Sequence, residues 1–177
     1  MERAGYKTTI LRAGLALVGG AVAGTASFVL EIVALLALRP SKLGELNEFV
    51  GTTTVELFQL IALFSLIFFA VGLLVVGSPV WWLLHRLGRR DWFYAVAVGA
   101  GLGSAGFAGW VLWNPEWPAL SLISFLTEEF GGLTARDGQL SAEGWEALVR
   151  GTIGIGIAGA LAGLMLWKIA YRRPQTP

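Results

Sequence analysis

The sequence spells one phosphate-binding signature twice. Gly101-Leu102-Gly103-Ser104-Ala105-Gly106 and Gly154-Ile155-Gly156-Ile157-Ala158-Gly159 both match the G-x-G-x-x-G pattern that cradles a dinucleotide pyrophosphate. That chemistry needs backbone N–H groups free to face phosphate, and the pattern supplies them only where it follows a strand and opens a helix. A second set of residues offers acid–base or transport chemistry. Glu31, Glu56, Gln59 and Arg150 are polar or ionisable groups set within otherwise apolar runs. Inside a membrane such a group is costly, and it marks a functional site by default.

Which chemistry is open to these residues depends on the elements that carry them. Hydrophobic residues make up 55% of the chain and charged residues 14%, with a mean hydropathy of +0.68. A soluble domain carries about a quarter charged residues, so the composition is that of a membrane protein. Four apolar runs, about 13–38, 55–77, 92–113 and 147–167, each reach the roughly 20 residues a helix needs to cross a bilayer. Pro40, Pro79, Pro115 and Pro118 all fall between the runs, where a missing N–H does no harm. The first run has the basic start and a small-residue Gly-Thr-Ala of a signal peptide. It continues through "FVLEIVALLAL", far past the usual h-region of about 7–15 residues, and reads as a retained helix. The fold expected is all-α: one domain over residues 1–177, a bundle of four transmembrane helices. A short interfacial helix is expected at "SPVWWLLHRLG", with Ser78 as its cap and Pro79 at its first position.

Lys and Arg set the orientation. Arg3, Lys7, Arg12, Arg86, Arg89, Arg90, Lys168, Arg172 and Arg173 flank one side, and only Arg39, Lys42, Arg136 and Arg150 the other. By the positive-inside rule both termini are cytoplasmic and the 114–146 connection is outside, in a cell membrane of the bacterial inner-membrane kind. Tryptophans near the run ends, among them Trp81, Trp82, Trp92, Trp113, Trp145 and Trp167, form the aromatic belts of such a protein. Within the outer connection, residues 114–131 are apolar enough to lie on or enter the membrane. Asp137-Gly138 reads as a turn, and Ser141 as a helix start.

Mid-span, every N–H is bonded within its own helix because lipid offers no water, so the twin signatures lose the donors that phosphate needs. They read instead as small-residue faces that let helix backbones approach closely: Gly99, Gly103 and Gly106 on the third span, Gly156, Gly159 and Gly163 on the fourth. The first span repeats the device with Gly20 and Gly24, on one stripe with Ser27 and Glu31. The second is bulky and Phe-rich, suited to face lipid or to fill grooves left by its thin neighbours.

No cofactor, metal or catalytic constellation is expected. The chain has no cysteine for a disulfide or thiolate site, and its single histidine, His85, has no nucleophile beside it. Its basic residues are few and spread along one membrane face, which speaks against nucleic acid. The function expected is that of an accessory, assembly or scaffold component. It would work through helix packing in the bilayer, against a membrane-protein partner or a second copy bound on the glycine faces. The alternative is a small channel or proton-coupled carrier built on Glu31 and Glu56, with Glu31, Glu56 and Arg150 drawn together from three helices. A Glu31–Arg150 pair could equally be a structural strut.

Overall fold

The computed structural model describes residues 10–38, 44, 53–89, 91–114, 135–136 and 139–171. Its long elements are α1 (Ile10–Leu38), α2 (Thr54–Gly72), a π-helical segment (Leu73–Gly77), α3 (Ser78–Arg86), α4 (Trp92–Trp113) and α5 (Ala142–Ala170). A two-stranded antiparallel ribbon, β1 (Ala135–Arg136) and β2 (Gln139–Leu140), precedes α5, with Ala135 opposite Leu140 and Arg136 opposite Gln139. The expected Asp137-Gly138 turn lies outside the described residues, as does most of the apolar 114–131 stretch. Among the described residues four helices are long and apolar enough to cross a membrane: Leu11–Ala37, Thr54–Arg86, Trp92–Trp113 and Ala142–Ala170.

Local chemistry sets the ends of these helices. Thr53 opens α2 with a capping box: its side chain accepts from the Glu56 N–H, and the Glu56 carboxylate accepts from the Thr53 N–H. Ser141 opens α5 by accepting from the Gly144 N–H, as the sequence predicts. At the end of α3, Gly88 turns left-handed at φ +72°. The Arg89 N–H then reaches the Leu84 carbonyl and the Gly88 N–H the His85 carbonyl, the paired bonds of a Schellman stop.

One expectation is corrected here. The "SPVWWLLHR" stretch is not a separate helix, because the backbone runs helical from α2 through Gly77 (φ −62°, ψ −43°) and Ser78 (φ −70°, ψ −42°) into α3. Pro79 should break this helix, since its ring clashes with the carbonyl four residues back and its nitrogen donates nothing. The π segment ends at that point and widens the preceding turn; the Ser78 N–H reaches back to the Leu73 carbonyl. The Ser78 hydroxyl donates to the Leu74 carbonyl at 2.7 Å. Thr54–Arg86 is thus one helix of 33 residues, about 50 Å at 1.5 Å per residue and longer than a hydrocarbon core of about 30 Å.

The helices pack as an open row in the order α2, α1, α5, α4. The last helix is the centre, with thirteen buried residues against three on α2 and two on α4. Phe107 and Val111 of α4 pack with Ala147, Leu148 and Ile155 of α5. On the other flank of α5, Ala16 of α1 joins Leu166, Ala170 and Tyr171. Ile32 and Leu36 of α1 pack on Leu57 of α2. Phe69 of α2 reaches across to Ala21 and Ala158, where α1, α2 and α5 meet. The remaining bulk of α2, including Leu63, Phe64, Ile67 and Phe68, is exposed.

Candidate functional site

The two G-x-G-x-x-G copies face each other. A Cβ on Gly99 would collide with the Gly159 carbonyl and one on Gly159 with the Gly99 carbonyl, while one on Gly163 would strike the Ala95 carbonyl. A Cβ on Gly103 would stand 2.8 Å from the Ile155 carbonyl oxygen, inside any real contact, and one on Gly156 would overlap the Ser104 hydroxyl. That hydroxyl donates across the seam to the Thr152 carbonyl at 3.1 Å. The glycines are therefore the reason α4 and α5 touch backbone to backbone, the contact that small residues permit where apolar burial gives no net drive.

Not every expected glycine joins this seam. Gly106 stands open, with nothing within 4 Å of a Cβ built on it. The contact follows the four-residue ridge Ala95, Gly99, Gly103, Phe107 and Val111, and Gly106 lies off that row. In α1, a Cβ built on Gly20 would stand 3.1 Å from the Ala162 carbonyl oxygen and from the Leu73 side chain, and Gly24 receives the Phe69 ring.

The polar residues are distributed more locally than their shared depth suggests. Glu56 is held by Thr53, whose N–H and hydroxyl donate to Oε2 at 2.9 and 3.0 Å. Arg150 pairs with Glu146 one turn earlier on α5, both side chains about half exposed at 48% and 53%. Such an exposed pair is worth about 0.3–0.5 kcal/mol. Gln59 is exposed on α2. Glu31 alone reaches another helix: its carboxyl lies against Cα of Gly154 on α5, so any side chain at 154 would collide with it. This places Glu31 about one turn from Arg150 along α5, but no ion pair joins them among the described residues.

A second polar cluster lies at the opposite end of α5. The Tyr171 hydroxyl and His85 Nδ1 share a hydrogen bond of 2.9 Å, with the two rings stacked at 12° and 6.0 Å between centroids. Trp81 leans on both, at 6.2 and 6.3 Å, and Trp167 on Tyr171 at 6.5 Å. The Trp81 Nε1 is enclosed and finds no acceptor among the described residues. The i, i+4 spacings 81/85 and 167/171 are the sequence signal that pairs these two faces. Outside the cluster, Arg86 lies over the Trp82 ring at 4.0 Å and Arg89 donates to the Tyr94 hydroxyl. These contacts tie α3 to the ends of α4 and α5.

No family model matches the chain, and no curated protein or solved structure matches it either. Among the described residues no group of three or more His, Cys, Asp or Glu could hold a metal ion.

Proposed function

We propose that this chain is a multi-pass membrane protein that works by helix-to-helix contact, as an accessory, assembly or scaffold component for a partner in the same bilayer. One observation carries the reading. Besides the small face that α5 covers, α4 bears a second one: Ala97, Gly101, Ala105 and Gly109 recur every four residues, all exposed. Among the described residues nothing lies within 4 Å of a Cβ built on Gly101 or Gly109. Because α4 ends the row, this face needs no further helix of the chain, and it has the small-xxx-small form that brings a partner helix close. The test is co-purification of the tagged full chain from its native membranes after crosslinking. A stable partner or second copy is expected, and Gly101→Leu with Gly109→Leu should reduce its recovery at least ten-fold while the thermal midpoint holds. A wild-type chain recovered alone would overturn the proposal.

The proposed orientation puts both termini in the cytoplasm and the β1–β2 ribbon outside. The excess of Lys and Arg beside α1, α3 and the end of α5 supports it. It also places the part of Thr54–Arg86 that exceeds the hydrocarbon core on the basic side, where Arg86 and Arg89 meet the headgroups. Reporter fusions after Pro177 and within the 114–134 stretch should give opposite signals; equal signals would refute this topology.

A further inference from the structure

Glu31 is the one carboxyl among the described residues that packs onto another helix, and neither the row of helices nor the glycine seam requires it. Its carboxyl covers Cα of Gly154, and among the described residues it has neither hydrogen bond nor ion pair. The other described carboxylates of the long helices behave differently, Glu56 being held by Thr53, Glu146 by Arg150, and Glu143 standing exposed in the first turn of α5. A carboxylate pressed on helix backbone with no donor is unfavourable in a bilayer, whereas the neutral acid fits the same seat.

Phe69 of α2 meets Ala158 of α5, and Phe28 of α1 packs against that contact, against the cluster α2 joins through Leu57 and against the cluster α5 shares with α4. Ile32 and Leu36 take α2 through Leu57, and α5 turns to α4 through Val111, Ala147 and Leu148. Glu31 lies one turn beyond Phe28 on α1, with its carboxyl at the Gly154 level of α5. The charged groups of the surrounding elements at this level are Arg150 and Glu146 on α5, which pair with each other, and Glu56 on α2, which is capped. On α4 the titratable side chain is Tyr94, at the opposite end of the row.

We propose that Glu31 is a proton-binding carboxyl on the α1–α5 seam, taking up and releasing its proton within the bilayer. The neutral acid seated on Gly154 is then a target for a lipid-soluble carbodiimide. The carboxyl proton moves to a carbodiimide nitrogen, the carboxyl oxygen adds to the central carbon, and the acyl group migrates to nitrogen, leaving a stable N-acylurea with no leaving group. Water-facing carboxyls lose the intermediate adduct to hydrolysis before it can rearrange. The reading is independent of the α4 partner face.

The experiment treats the full chain in phosphatidylcholine vesicles with dicyclohexylcarbodiimide between about pH 5 and 9, with adducts located by peptide mass spectrometry. The adduct at Glu31 is expected at least ten-fold above those at Glu56, Glu143 and Glu146, and it should fall at least ten-fold as the pH rises across the range. Glu31→Gln should abolish it while the protein elutes unchanged. If that variant fails to fold, the wild-type pH series decides alone. No adduct at Glu31 at any pH, a yield independent of pH, or equal labelling of Glu146 would each overturn the proposal.

Discussion

Gly159→Leu is expected to destroy the folded bundle, while Gly106→Leu should leave it as stable as the wild type or slightly more so. Both substitutions replace a helical glycine by a good helix former, which by itself favours folding by up to about 1 kcal/mol. The sign of the outcome therefore rests on packing. At Gly159 the new side chain would overlap the Gly99 carbonyl, a backbone group that moves only if α4 and α5 part along their whole seam. Overpacking of this kind costs about 1–3 kcal/mol where side chains can adjust, and here the cost should exceed that range because the obstacle is main chain. At Gly106 nothing stands within 4 Å, so only the propensity gain remains. Thermal unfolding of the two variants in one micelle, followed by circular dichroism and size exclusion, separates them. A Gly159→Leu protein that melts with the wild type would refute the backbone contact between Gly99 of α4 and Gly159 of α5.

Some of this arrangement is legible in residue spacing and some is not, for reasons that differ by residue. Glycines recurring every three to four residues announce close helix contact, and Gly99, Gly103, Gly156, Gly159 and Gly163 are all found in one. Spacing does not say which of two small stripes on one helix is taken. Gly99 and Gly103 meet α5, and Gly101 and Gly109 meet nothing among the described residues, although both stripes carry the same signature. The stripe that is taken is the one in register with the α5 backbone, where Gly103 meets Ile155 and the Ser104 hydroxyl on α4 donates to the Thr152 carbonyl. Pro79 misleads in the other direction. A proline ends most helices, but a wider turn before it lets the axis continue, and that compensation lies in backbone geometry rather than in a residue type. Arg150 shows a local rule prevailing over a distant one. Glu146 stands four residues earlier on the same face, so the nearest carboxylate takes the guanidinium before Glu31 can.

The junction of α1, α2 and α5 offers the second large effect, and Phe68 supplies its control. Phe68 and Phe69 are adjacent, their rings edge to face at 5.9 Å, yet Phe69 is 7% exposed and Phe68 54%. Phe69→Ala withdraws a ring from the notch at Gly24 and from its contacts with Ala21 and Ala158. In a water-soluble core the loss would be about 3–5 kcal/mol, part of it transfer from water. Lipid is as apolar as the junction, so the dispersion and cavity part remains, about 2 kcal/mol. Phe68→Ala gives up the ring pair alone and should cost less than about 1 kcal/mol. Gly24→Ala then tests whether the notch is the cause. In the wild type its Cβ would stand 2.7–3.0 Å from three Phe69 ring atoms, so the substitution should destabilise despite the gain in helix propensity. In the Phe69→Ala background the same methyl enters the space the ring has left, and it should stabilise. The propensity gain is common to both backgrounds and cancels in the double-mutant cycle, leaving a coupling of about 1–2 kcal/mol that belongs to the Gly24–Phe69 contact. A coupling indistinguishable from zero would mean that Phe69 does not occupy the Gly24 notch, and that α2 is joined to α5 in some other way.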